Sequence, residues 1–233
     1  MQQTASSSFE PQEEKYLYTE GIDYAQTGNV SIWGTEDPLT QDVLLNSDIH
    51  GRWLNLCAGD GRFNTALLQH VQTVVATDVD PSALQKLQRL TPDALKPKLE
   101  IVTCNVVEPL PFQAAEFDGI FCTGTLHLFP KTIFQNILGE LDRILKSGGR
   151  MIIDFATDIR RVRPDGSLYT VHGEPLYALD EALDFLKECL SAYAASFQTD
   201  TVAPEAVQVR GETYLFSCNY ILIQAQKGSC VVE

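Results

Sequence analysis

Trp53-Leu54-Asn55-Leu56-Cys57-Ala58-Gly59-Asp60-Gly61-Arg62-Phe63 joins an apolar strand to a glycine turn and then to an amphipathic helix. Gly59 and Gly61 lack a Cβ, so the backbone can turn sharply and a ligand can approach its N–H groups closely. The helix that follows offers unpaired backbone donors and the positive end of its dipole. The stretch therefore reads as a cradle for something carboxylated or phosphorylated. Working outward, a second strand, Thr73-Val74-Val75-Ala76-Thr77, ends in Asp78, 17 residues after Gly61. An acid at that place can grip a ribose. Dinucleotide-binding folds put their ribose acid roughly 20 residues after the glycine turn, so spacing alone does not choose between ligand classes. The glycine pattern does better: a dinucleotide fingerprint wants G-x-G-x-x-G/A, and its third small position, counted from Gly59, is here Asn64.

Taken as strand, acid or amide, x, small, small, Gly, x, Gly, the stretch resembles motif I of the class I S-adenosylmethionine-dependent methyltransferases, in a type 11-like form. The resemblance runs from residue 50 to about residue 157. Val75-Ala76-Thr77-Asp78-Val79-Asp80 resembles the second-strand segment, whose acid binds both ribose hydroxyls. Ile101-Val102-Thr103-Cys104-Asn105-Val106 resembles the third-strand segment, where an Asp or Asn faces the adenine amino group. Glu116-Phe117-Asp118-Gly119-Ile120-Phe121-Cys122 with Leu126-His127-Leu128 resembles the fourth-strand region. Leu141 to Ile153 resembles the helix, tight turn and fifth strand that follow. The resemblance implies S-adenosylmethionine as cofactor. Asp78 and Val79 are then expected at its ribose, and Cys57, Ala58, Gly59 and Gly61 at its methionine end with Asn55 fixing the tail. Asn105 and Val106 are expected to bracket adenine, with Thr123 facing the ligand. Three positions depart from the family pattern: Asn55 and Asn105 stand where Asp is usual, and Cys57 where Gly is usual. Asn55 brings hydrogen-bonding capacity without charge, and Cys57 brings a Cβ and a sulfur.

A chain of 233 residues suits one α/β domain with a substantial core. Residues 1–48 are expected to form a disordered tail and an N-terminal lid or helical segment, and residues 49–233 the methyltransferase domain. Tyr16, Tyr18, Tyr24, Ile32 and Trp33 interrupt the polar start with large apolar side chains, either as a lid over the cofactor or as rings packed on the outside of the domain. Pro38 to Asn46 reads as a helix. Ile133, Ile137, Leu138, Leu141, Ile144 and Leu145 form a helical stripe that Gly148 and Gly149 are expected to stop. Met151 to Phe155 reads as a strand covered on both faces. A helix from Leu179 to about Ala195 is followed by two strand-like runs, Phe197–Val209 and Glu212–Gln224, with Gly211 between them. No helix fits there, so these runs pair antiparallel. The fold class is α/β: a Rossmann-like three-layer α/β/α sandwich, with a terminal antiparallel hairpin on a mostly parallel sheet. The resemblance implies seven strands in the order 3-2-1-4-5-7-6.

Charge narrows the partners. With 17 basic and 31 acidic residues the net charge is −14, which disfavours nucleic acid, because such binding needs basic side chains on phosphates. A small-molecule acceptor is expected. Residues 1–48 concentrate the imbalance, with nine acids against Lys15. No run approaches 18 consecutive apolar residues and no signal peptide opens the chain, so no membrane partner and a cytoplasmic location are expected. The six cysteines include no C-x-x-C pair and the four histidines are scattered, so reduced thiols and no metal are expected. His127, four residues past Thr123, is the candidate catalytic base or orienting donor, against a packing role. Arg160, Arg161 and Arg163, placed in a loop after the fifth strand, are the candidate substrate contacts together with Tyr169 and His172. Arginine's planar fork suits carboxylate or phosphate; the alternative is a solvated loop with its arginines paired to nearby acids. The expected activity is direct methyl transfer to a small acceptor. A cofactor-binding protein without transferase activity is the second reading, and a nicotinamide-dependent oxidoreductase the third.

Overall fold

The computed structural model describes residues 22–32, 37–171, 173–209 and 211–228. Tyr16, Tyr18, Trp33, His172 and Cys230, with the expected N-terminal tail, lie outside the described residues. Seven strands form one sheet in the order β3-β2-β1-β4-β5-β7-β6: β1 (Arg52–Asn55), β2 (Thr73–Asp78), β3 (Leu99–Thr103), β4 (Phe117–Cys122), β5 (Leu145–Val162), β6 (Tyr193–Val209) and β7 (Glu212–Lys227). Strands β1 to β5 run parallel and β7 is antiparallel to both β5 and β6. The expected sheet order and terminal hairpin are both present, and Gly211 turns the hairpin at φ +77°.

Strand alternation sorts the helices into two layers. Trp53, Val74, Phe121 and Ile152 point to the face covered by α1 (Pro38–Asn46) and α2 (Asn64–His70). On the same face Ala76 meets Leu84 and Leu87 of α3 (Pro81–Leu90). Leu54, Val75, Ile120 and Ile153 point the other way, to α4 (Lys131–Ile144) and α5 (Leu179–Cys189). The first face needs a glycine in β4: a Cβ on Gly119 would lie 2.1 Å from the Trp53 ring, which covers it. Local chemistry starts two of the helices. Asp37 accepts the Thr40 N–H at 3.0 Å ahead of Pro38, and Asp80 accepts the Ser82 N–H at 2.8 Å ahead of Pro81.

Three boundaries differ from the sequence reading. Helix α4 ends at Ile144 instead of continuing to Gly148. The β4–β5 register then jumps from Phe117↔Leu145 to Gly119↔Arg150, so residues 146–149 bulge out. Gly149 serves that bulge, where a Cβ would meet Leu145 Cδ1 at 2.7 Å. Helix α5 stops at Cys189 and β6 begins already at Tyr193, whose hydroxyl donates to Asp142 of α4. Strand β5 extends to Val162, which corrects the placement of Arg160 and Arg161: they lie on a strand paired with β7, and only Arg163 enters the following turn.

Candidate functional site

Beyond Asn55 the chain leaves β1 through left-handed conformations at Cys57 (φ +53°), Gly59 (+53°) and Gly61 (+92°). The turn is docked on the end of β2. The Ala58 N–H donates to the Thr77 carbonyl at 2.7 Å, and the Gly59 N–H donates to Asp78 Oδ2 at 2.8 Å. Asp78 Oδ1 accepts the Asp80 N–H at 2.9 Å. Burial pushes the Asp78 carboxyl up, and the Asp80 and Gly59 N–H groups oppose that rise. Each carboxylate oxygen keeps a further acceptor position, so a pair of ribose hydroxyls fits the chemistry of this group. Cys57, Ala58, Gly59, Asp78 and Val79 are all half-buried, a rim along the carboxyl ends of β1 and β2. The Cys104 N–H donates to the Asp78 carbonyl at 3.1 Å, which brings the segment after β3 alongside. There Asn105 is half-buried, with Oδ1 accepting the Val107 N–H at 3.3 Å. Val106 turns into the core, 6% exposed.

Three residues in and beside the glycine turn also make contacts that hold the turn in place. Gly61 is needed for helix packing: a Cβ there would meet Leu87 Cγ of α3 at 2.8 Å. The Asn55 amide is buried and donates to Asn64 Oδ1 of α2 at 3.3 Å. Asn64 itself donates to Thr91 Oγ1 at 3.4 Å, so the residue that spoils a dinucleotide fingerprint is one link of a buried polar chain. Cys57 adopts the conformation that glycine usually supplies, with its sulfur beside Cys122. A hydrogen bond with Cys122, together with burial, holds the Cys57 thiol well above its ordinary value, so it stays protonated and unreactive.

Sequence reasoning missed the centre of the turn. Asp60 is wholly buried and pairs with Lys86 of α3 at 2.8 Å, the lysine being 1% exposed. The same carboxylate accepts Ser31 Oγ–H at 2.6 Å and the Ile32 N–H at 2.9 Å. Lys86 also lies 5.8 Å from the centre of the Tyr24 ring. Residues 24–32 are thereby fastened to the glycine turn, and the buried Tyr24 packs on this clasp. The available signal was a lysine in the apolar spacing of α3, next to Leu84 and Leu87, with an acid between two glycines.

On the other side of β4, Thr123 is half-buried and Gly124 exposed. The Gly124 N–H donates to Asp154 Oδ1 of β5 at 2.7 Å. His127 is 7% exposed in the short helical turn Leu126–Leu128, set edge-on to Phe155 at 6.3 Å. Burial, reinforced by the Arg161 charge, lowers its pKa to about 4, so the imidazole is neutral at physiological pH. Its Nδ1 is buried without a hydrogen-bond partner among the described residues. The arginines are largely committed. Arg161 makes a two-pronged pair with Glu174 at 2.7 and 2.8 Å. Arg163 pairs with Glu212 at 2.9 Å and stacks on Tyr169 at 5.0 Å, while Tyr169 stacks on Tyr214 at 5.2 Å. Arg160 is exposed on β5. Two separate groups result, one at the ends of β1 to β3 and one around β5.

Residues 54–153 match the family model described as a methyltransferase domain. Together with the sheet order, that match makes this stretch similar to the class I S-adenosylmethionine-dependent methyltransferases. An uncharacterized methyltransferase of Synechocystis sp. is 33% identical over 96 residues, 41% of this chain and 42% of that relative's length. The chain thus spans under half the length of the curated relative it matches. Among solved structures, the YcgJ protein of a Bacillus species is 16% identical with TM-score 0.60, covering 82% of this chain and 97% of that one. DhpI, solved as a complex with SAH, is 17% identical with TM-score 0.55, covering 82% of this chain and 83% of that one. At these identities the two structures establish the common fold. No helix among the described residues is long and apolar enough to cross a membrane.

Proposed function

We propose that this protein transfers a methyl group from S-adenosylmethionine directly to a small-molecule acceptor. The observation that carries the reading is Asp78: a half-buried carboxylate at the end of β2, pinned to the Gly59 N–H at the point where strand order reverses. Burial raises its pKa although both oxygens accept backbone N–H groups, and the acceptor positions left on those oxygens suit a ribose diol. The SAH held by DhpI supports the same ligand class for this fold. The bound cofactor supplies an electrophilic sulfonium methyl group; the protein aligns the acceptor with it and keeps water out. Ala58, Gly59 and Val79 line the rim in this reading, Asn105 offers its side chain at adenine, and Thr123 faces the methyl end. Neutral His127, with Nδ1 open, serves as an orienting acceptor; a pKa near 4 makes it an inefficient base at neutral pH. The acidic balance of the chain, net −14, supports a small acceptor over a polyanion.

Calorimetric titration with S-adenosylmethionine and S-adenosylhomocysteine tests the reading. Wild type is expected to bind both, and Asp78→Ala to lose roughly 10- to 100-fold in affinity, the worth of hydrogen bonds to a charged group. Binding unaffected by Asp78→Ala, or no binding by wild type, overturns it.

A further inference from the structure

Strand β5 carries two carboxyl groups that neither the cofactor rim nor the arginine pairs use: Asp158, which accepts from the Leu179 N–H and the Asn219 amide, and Asp154. Asp154, half-buried, follows Ile153, the partner of Cys122 at the end of β4, and so lies midway along β5 on the face where Ile152 and Leu222 meet α1 and α2. Its Oδ1 accepts the Gly124 N–H at 2.7 Å, which ties it to the loop leaving β4, beside the switch point between β1 and β4. Gly124 has φ +70°, and a Cβ built on it meets nothing within 4 Å among the described residues, so space borders the loop on that side.

The groups that face the carboxyl come from four elements. Asp37 at the start of α1 and Arg62 of the glycine turn both act on it. Tyr220 and Cys218 of β7 lie within its electrostatic reach, and Asp200 and Glu205 of β6 add negative charge behind them. Tyr220 donates its hydroxyl to Asp37 at 3.0 Å. Two basic groups oppose this charge: Arg62, which lies over the Phe63 ring 4.9 Å from its centre and acts on Asp154, and Arg161, which acts on Cys218. The wall is rich in carboxylates and complements a cation.

We propose that Asp154 is the general base of the methyl transfer and that the acceptor is an amine, bound as its ammonium ion. This rests on the function proposed above. A primary ammonium has no lone pair. Passing one proton to the Asp154 carboxylate supplies it; the nitrogen then bonds the methyl carbon as the carbon–sulfur bond breaks, and the bonding pair stays on sulfur as a neutral thioether. The methylated ammonium leaves, and Asp154 returns its proton to solvent. Burial, aided by Asp37 and opposed by the Gly124 N–H and Arg62, pushes the Asp154 carboxyl up to about 7, close to the pH at which a base works best. That separates it from His127, which has already lost its proton at that pH.

Sinefungin tests this without knowledge of the acceptor, because its C–NH3+ group stands where the sulfonium methyl group stands in S-adenosylmethionine. Wild type, Asp154→Asn and Asp154→Ser are titrated calorimetrically with sinefungin and with S-adenosylhomocysteine between pH 6 and 8.5. The wild-type preference for sinefungin is expected to grow about tenfold across that range as the carboxylate forms. Both variants are expected to keep their S-adenosylhomocysteine affinity and to show a flat ratio. A ratio that rises equally in variants and wild type overturns the assignment of Asp154. Failure of wild type to bind either ligand overturns the methyltransferase reading instead. The second variant keeps the comparison readable if one substitution prevents folding.

Discussion

In the half of the sheet built on β3, β2 and β1, Asp60 and Lys86 meet at 2.8 Å with side chains 0% and 1% exposed. In the half built on β5, β7 and β6, Arg161 and Glu174 meet at 2.7 Å with side chains 12% and 2% exposed. The first pair is sealed by donors from Ser31 and Ile32 and sits inside the glycine turn, so it holds those residues against that turn. The second is backed by the Phe216 ring, 5.8 Å from the guanidinium, and removes from circulation a cation that the sequence offered to a substrate. A buried charge is tolerable only when paired and hydrogen-bonded, so both pairs report on folding before they report on ligands. Conspicuous charge in the sequence and available charge in the fold are different quantities.

Asp60→Ala tests the first pair hardest. Leaving Lys86 buried and unpaired is expected to cost about 3–5 kcal/mol in urea or thermal unfolding. The double variant Asp60→Leu with Lys86→Met recovers much of that loss. A single variant as stable as wild type would show that the clasp is not closed in solution. Arg161→Ala comes next, at about 2 kcal/mol, because Glu174 loses its partner while the site is partly open to water. A fall in acceptor affinity with an unchanged melting temperature would instead return Arg161 to the substrate. Arg163→Ala is the smallest: its pair with Glu212 is exposed, and the unfolding midpoint is expected to stay in place. Equal effects of Arg161→Ala and Arg163→Ala would erase the contrast between buried and surface pairs in this half.

Much of the cofactor half was legible because its signals are local. Gly59, the strand ending in Asp78 and the Pro81 helix start each follow from a few adjacent residues, and the structure joins them through backbone N–H groups. The terminal hairpin was legible by elimination, since no helix fits between Val209 and Glu212. The start of β5 was not: Gly148 and Gly149 resemble a helix cap, yet the register shift between β4 and β5 uses them for a bulge. In sequence Asp154 reads only as the polar break in the apolar run Met151 to Phe155, because only pairing across the sheet sets it against Gly124 and Asp37.

By itself the sequence determined the alternation of strands and helices and the turn joining Gly59 to Asp78, since those rest on periodicity and on backbone conformations that few residues allow. Tertiary structure alone decided which charges are free. Asp60 and Lys86, 26 positions apart, and Arg161 and Glu174, 13 apart, are neutralised by partners brought close only when the chain closes on itself. The ionisation of Asp154 and His127 likewise depends on burial, a property of the packed molecule that no spacing along the chain records.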